Sequence, residues 1–324
     1  MQRRNWLRTL LGLAAGSTTA GISLSEEPKS EPGCQPTPIL ELGPYPTMKY
    51  RTQPDHDIDL TRMAGQSGVA AGKVIVVEGK VTDATCKPLS GAVVEIWSAN
   101  HHGLYRHEFD HSERQEDPNF QGWGQAITNA RGEYRFKTIL PGLYGSRARH
   151  IHFKVSKRGY HERVTQLFFE GEERNKTDGI LNYLTHEEQL QIIRPLVTNS
   201  ATPTISFPIT LDSVQPNKVP EKVLREYVGR YALRIEGNGF DEWASYIPEF
   251  AAKTIILELT AERAQLFMTL PFSPKTEVFW HAKDEFASWA FYNTFIRFQR
   301  DTAGKVVSLH LHPSEDKFLE GIKL

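Results

Sequence analysis

Cysteine is nearly absent from the 324 residues: Cys34 and Cys86 are the two present, too few for a four-thiolate zinc site. At this level two outcomes stay open, a disulfide formed in an oxidising compartment or a pair of free buried thiols. Neither sign of charge dominates, with 38 Lys and Arg against 39 Asp and Glu. Nothing in that balance argues for wholesale attraction to nucleic acid, anionic lipid or a polyanionic substrate, and a small, uncharged or singly charged partner stays open. Long apolar runs are also missing. The stretch from about Leu10 to Leu24 is too short and glycine-bearing to span a bilayer stably, so no membrane anchor is expected in the mature chain. Helix-like composition is sparse, confined to 61–68, 185–193 and the opening of a segment that starts at Val219. What remains is an ordinary globular composition, 39% hydrophobic and 24% charged, on a chain long enough for two domains.

The first residues, MQRRNWLRTLLGLAAGSTTAGISLS, pair Arg3 with Arg4 ahead of a small-residue apolar stretch. Residues 1–25 therefore resemble a twin-arginine export signal, which predicts a periplasmic or extracellular destination. A basic start followed by a short amphipathic helix is the other reading. No convincing A-x-A cleavage site follows, and Glu31-Pro32-Gly33-Cys34 lacks the apolar residues of a lipoprotein signal. The polar, proline-rich stretch 26–36 reads as a spacer.

Beyond it, β-branched runs recur between turn residues: 73–83, 92–97, 132–138, 150–155, 164–169 and 204–211. The first two read as strands joined by a tight connection. Short strands separated by Gly, Pro and Asn predict an all-β sandwich over 37–214. A composition shift at Gln215-Pro216-Asn217-Lys218 marks a boundary. From 218 to 324, the runs TIILEL, AQLFMTL, TFIRFQR and KVVSLHL, with a hairpin around Asp301–Gly304, predict a small antiparallel β-barrel-like domain.

His150-Ile151-His152 lies within a predicted strand, where residues two apart share a face, so both imidazoles can reach one metal while Ile151 faces the opposite layer. The spacing alone is weak. Leu309-His310-Leu311-His312 repeats it, with the leucines marking the core side, and is assigned to the surface. The first pair differs in its surroundings: Arg147 stands three residues before it, Pro141-Gly142-Leu143-Tyr144 just ahead, and Trp97-Ser-Ala-Asn100-His-His-Gly103-Leu-Tyr105 upstream.

These residues resemble the intradiol ring-cleavage dioxygenases, the catechol and protocatechuate dioxygenase family. The resemblance runs in family order through GKVTD, GAVVEIWSANHHGLYRH, DPNFQGWG, TNARGEYRFKTILPGLY, RARHIHFKV and VTQLFF, over roughly 40–212. It implies a non-haem Fe(III) centre ligated by Tyr105, Tyr144, His150 and His152. Taken singly, Tyr105 would serve equally as a sandwich-rim aromatic and Tyr144 as a loop anchor. Phenolate and imidazole donors suit a hard trivalent ion, and a tyrosine that ionises near about pH 10 needs the ion's field to lose its proton. The resemblance further implies insertion of both atoms of dioxygen into a catechol-type diol, with cleavage between the hydroxyls to a cis,cis-muconate-type diacid. Tyr144 is then released as a base, Arg147 stabilises charge on the ring, and Gln166 stands beside it at the pocket wall. A surface ion pair is the plainer role for Arg147.

Only Gly145 and Ser146 separate Tyr144 from Arg147, where protocatechuate enzymes carry a long loop; the short form resembles that of exported intradiol enzymes. The N-terminal helical dimerisation region of the catechol-type branch is absent, so a homo-oligomer is neither required nor excluded. Gly43-Pro44-Tyr45 is retained, with Leu42 where a glutamate is usual. The last hundred residues resemble a small domain of unknown function fused to β-lactamase-related hydrolases, and carry no catalytic constellation of their own. A transthyretin-like metal- or ligand-binding module without turnover is the second functional class.

Overall fold

The computed structural model describes residues 34–43, 45, 55, 57–107, 110, 112–215, 218–235, 254–289, 294–312 and 318–324. The 1–25 export segment and most of the spacer lie outside them. Ten strands precede residue 212: β1 (Val74–Asp83), β2 (Val93–Trp97), β3 (Trp123–Ile127), β4 (Glu133–Ile139), β5 (His150–Ser156), β6 (Arg163–Phe169), β7 (Ile193–Arg194), β8 (Leu196–Val197), β9 (Thr204–Ser206) and β10 (Ile209–Leu211). Eight follow: β11 (Gly229–Arg234), β12 (Thr254–Glu262), β13 (Gln265–Leu270), β14 (Ser273–Ala282), β15 (Glu285–Ser288), β16 (Thr294–Arg300), β17 (Val306–His312) and β18 (Leu319–Lys323). Among the described residues helix is confined to short pieces, chiefly α1 (His186–Ile192), opened by a Thr185/Glu188 capping box, and α2 (Glu221–Leu224).

The fold is all-β. One sheet runs β10-β1-β9-β8 with β4 on the other side of β1; the second runs β3-β2-β5-β6-β7. Their facing sides form one core, which includes Val77, Phe136 and Ile205 from the first sheet and Ile96, Ile151, Phe153 and Leu167 from the second. The eight later strands close into an antiparallel barrel, with β18 returning to β11. Tyr231, Phe286 and Phe298 are among the side chains packed into its core.

Two expectations need correction. The 73–83 and 92–97 strands do not pair: β1 and β2 belong to opposite sheets, and the connection between them, with Cys86 at φ 64° and Gly91 at φ 69°, carries the chain across. The 61–68 segment is not helical. Gly65 is left-handed at φ 79°, and the Ala70 amide bonds back to the Thr61 carbonyl at 2.9 Å. The segment from Val219 opens with a helix as expected, one turn long, before β11 begins. The 301–304 hairpin forms as expected, with the Asp301 carboxylate accepting from Ala303 and Lys305 amides. Cys34 and Cys86 form a disulfide, with Cα atoms 5.3 Å apart.

The outer face of the second sheet is covered rather than solvated. Trp97, Trp123 and Val164 share a hydrophobic cluster with the barrel, which is why every residue of β5 from His150 to Val155 is buried. The polar groups on that side are joined across the seam. Lys154 Nζ meets Glu162 at 3.1 Å, Glu162 accepts from Thr276 Oγ1 at 2.7 Å, and the Glu162 amide donates to Glu277 Oε2 at 2.7 Å.

Candidate metal centre

Two loops and one strand converge on a point against the outer face of the second sheet. The 100–105 loop is shaped by Asn100, whose side-chain oxygen accepts from the His102 and Leu104 amides at 2.9 and 3.1 Å. Gly103 adopts φ 83°, and a Cβ there would collide with the Leu143 carbonyl; a Cβ on Gly142 would collide with the Gly103 amide. The two tyrosine-bearing loops therefore meet backbone to backbone, which no side chain would allow. Their products are adjacent rings: Tyr105 and Tyr144 stand edge to face, centroids 5.2 Å apart.

β5 supplies the histidines, and Ile151 between them joins the sandwich core as expected. His150 Nε2 lies 3.2 Å from Tyr105 Oη, His152 Nε2 lies 3.1 Å from the same oxygen, and the two Nε2 atoms are 3.2 Å apart. Donors about 2.0–2.1 Å from a shared ion stand roughly 2.9–3.4 Å from each other, so this triangle fits one cation at its centre. The protons fit it as well. His150 Nδ1 donates to the Ala148 carbonyl at 2.6 Å, leaving Nε2 as a bare lone pair. Burial, reinforced by Arg147, holds His150 far below the usual imidazole value, at about 3, and pushes His152 well down too, so both rings are neutral. Burial drives both tyrosines the opposite way, above the ordinary phenol range, and only a cation at the triangle would reverse that. Tyr105 and two histidines form this triangle, with the Tyr144 ring beside Tyr105; no cluster of three or more His, Cys, Asp or Glu poised for a metal occurs among the described residues.

Around this centre lie residues 40–43 and Tyr45, which act as a strap. The Leu40 amide donates to the Val164 carbonyl at 2.8 Å, and the Leu42 amide reaches the Trp289 carbonyl of the barrel at 2.9 Å. Gly43, at φ 78°, sits so close that a Cβ would stand 3.0 Å from the His152 ring. Tyr45 packs 5.2 Å from Tyr105 and 5.6 Å from Tyr144, and its hydroxyl hydrogen-bonds that of Tyr144. On the other side Trp97 stacks on His152 at 4.9 Å.

Arg147 is neither a plain surface ion pair nor alone. Its Nε donates to Asp178 Oδ2 at 2.8 Å and its Nη2 to Gln166 Oε1 at 2.7 Å, while Gln166 Nε2 donates to the Glu41 carbonyl at 3.3 Å. Asp178 is fully buried and also accepts from the Ala148, Ile180 and Leu181 amides. The sequence offered no sign of Asp178 or of Glu41 beside this group; an Asp-Gly step reads only as a turn. The decoy pair is far from any such convergence. His310 and His312 lie on one side of β17, half-buried under Phe318 rather than fully exposed, with rings 4.2 and 5.4 Å from it.

A family model described as Dioxygenase matches residues 45–213. The chain is 42% identical over 124 residues to the protocatechuate 3,4-dioxygenase beta chain of Burkholderia cepacia, covering 36% of this chain and 53% of that one. It is 33% identical over 180 residues to catechol 1,2-dioxygenase 1 of Acinetobacter lwoffii, covering 47% and 55%. The chain thus spans about half the length of these relatives. Among solved structures, the dioxygenase domain of a dioxygenase carbohydrate-binding protein fusion from Streptomyces sp. SirexAA-E is 29% identical, with 55% of this chain and 99% of that one covered at a TM-score of 0.42.

Proposed function

The chain belongs to the intradiol dioxygenase family over residues 45–213, and from that premise we propose that it opens a catechol-type ring between its hydroxyls with dioxygen, giving a muconate-type diacid. The observation that carries the reading is the triangle of Tyr105 Oη and the two histidine Nε2 atoms, all within 3.2 Å of one another. Tyr105, Tyr144, His150 and His152 would hold Fe(III). When bound, the ferric ion supplies two positions for the diol oxygens and draws electron density from the ring, making a ring carbon reactive towards dioxygen.

The protein groups do the rest. Tyr105, fully enclosed, stays in place, whereas Tyr144 is half-buried and Tyr45 hydrogen-bonds its hydroxyl, so Tyr144 Oη is the atom that takes up a substrate proton. Arg147, held by Asp178 and Gln166, presents its positive charge to the anionic ring oxygens. The strap and Trp97 exclude water from the histidine side. An Arg–Gln pair set beside the donors favours turnover over the alternative, a transthyretin-like module that binds without reacting.

The purified protein is expected to be burgundy from phenolate-to-iron charge transfer, to consume oxygen with a catechol, and to yield a diacid retaining both oxygen atoms. Tyr105→Phe should shift or abolish the band, and joint replacement of His310 and His312 should leave it intact. A colourless protein with stoichiometric zinc, or cleavage beside the hydroxyls, would refute the proposal. Oxygen-independent binding of catechols without product would favour the alternative.

We also infer periplasmic or extracellular residence through the twin-arginine segment. The Cys34–Cys86 disulfide supports an oxidising destination. Arg3→Lys with Arg4→Lys should trap the protein in the cytoplasm on fractionation; unchanged export would remove the assignment.

A further inference from the structure

Arg114, in the loop that follows Tyr105, is joined to both tyrosine-bearing loops. Its Nη1 donates to the Gly103 carbonyl at 2.9 Å and to the Leu143 carbonyl. Gly103 leaves the room for that contact, since a Cβ there would collide with Arg114 Nη1 as well as with the Leu143 oxygen. The neighbouring residue fixes the same junction. Asn100 Nδ2 donates to the Gln115 carbonyl at 2.9 Å, while the Asn100 carbonyl accepts from the Gly142 amide at 2.8 Å. Two carbonyl oxygens aimed at one point repel, and a cation between them replaces that repulsion with two charge-assisted hydrogen bonds.

The two loops depend on this junction unequally. The Tyr105 loop has supports of its own: Asn100 Oδ1 accepts from the His102 and Leu104 amides, and the Leu104 carbonyl accepts from the Asn100 amide at 2.8 Å. The Tyr105 amide donates to Asp110 Oδ2 at 2.8 Å, and the side chain is buried. On the other loop the Leu143–Tyr144 peptide is bonded across to Arg114, whereas the Tyr144 carbonyl closes a local turn with the Arg147 amide at 3.0 Å. Gly145 follows at φ 48°, and the Tyr144 side chain is half-buried. Arg114 thus bonds the peptide that carries Tyr144 to a loop that is already rigid.

We propose that Arg114 is a positioning residue for Tyr144, holding its phenol at the centre in the resting enzyme, and that Tyr105 keeps its place without it. The proposal rests on the ring-cleavage reading, in which Tyr144 is the tyrosine that the diol displaces. Arg114 acts through the peptide before Tyr144 rather than through the ring. Its removal therefore matters while Tyr144 is a ligand, and ceases to matter once a catechol has taken that position.

The test compares the phenolate-to-iron absorption of the ferric full chain before and after anaerobic addition of catechol. Arg114→Met keeps the aliphatic stem and removes the donors. Its resting band should move to the position found in Tyr144→Phe, with iron retained, while its catechol complex should match that of the unaltered protein. In turnover, kcat/KM for catechol should fall about tenfold with kcat changed by less than about twofold, because Tyr144 takes up the proton as the diol binds. Both carbonyls use one nitrogen rather than the planar fork, so Arg114→Lys should restore most of the resting band. Should Arg114→Met not fold, Arg114→Gln, which keeps a polar head without the charge, takes its place in the same comparison. An unmoved resting band, an equal shift in the catechol complex, loss of iron, or no recovery in Arg114→Lys would each overturn the proposal and leave the ring-cleavage reading standing. An unaltered protein without the band would remove both.

Discussion

Asp178 holds together more of the candidate centre than any residue the sequence singled out. Its carboxylate accepts from Arg147 and three backbone amides while fully removed from solvent. Hydrogen bonds and the Arg147 charge outweigh burial and keep its acid strength above that of a free aspartate. Asp178→Asn removes the charge opposite Arg147 at nearly constant shape. A thermal melt should show a loss of about 3 kcal/mol, since breaking a buried pair strands its partner. Catechol turnover should fall about 100-fold through misplacement of the guanidinium; an unaltered rate would show that Arg147 needs no such support. At this scale the two histidines were legible because strand alternation is a local rule. The tyrosines were not, and rested on resemblance, because the contact that joins them is between loops distant in sequence. Asp178 had no local signature at all.

Among elements, the strands facing the sandwich core announced themselves through β-branched runs, and the boundaries of β1, β4, β5 and β6 fell within a residue or two of expectation. Those with polar or glycine-rich sequences did not: β3 reads WGQAI, and β14 carries Pro274, Lys275 and Glu277. The two loops of the centre depend on a device at this scale, the close approach of Gly103 and Gly142. Gly103→Ala places a Cβ against the Leu143 carbonyl at a left-handed backbone position. The expected outcome is a protein that still folds but retains iron substoichiometrically by metal analysis. Full iron content would mean that the loops can separate without disturbing the tyrosines.

Over the whole molecule, the barrel covers the outer face of the second sheet, the same face that carries the histidines. Glu162 connects the two bodies, bonded at once to Lys154 and to the Thr276 hydroxyl, with its amide on Glu277. Glu162→Ala should cost about 3 kcal/mol by leaving the buried Lys154 ammonium without the Glu162 carboxylate, with the Lys275 carbonyl left as its acceptor. In calorimetry the unaltered protein should unfold in one transition, and the variant in one earlier transition or in two. Two well-separated transitions in the unaltered protein would show that the seam does not couple the bodies. Little of this was legible in sequence: Glu95 and Lys154 alternate with apolar residues as if facing water, Glu162 stands among polar neighbours, and only the fold shows a second layer above them.

That covering layer has a bearing on descent. A lineage that shed the barrel would uncover Trp97, Trp123 and Val164 together with the ion pair of Lys154 and Glu162, and would lose the carbonyl that receives the Leu42 amide. In this chain, separating the barrel from the sandwich would call for compensating changes across that whole sheet face.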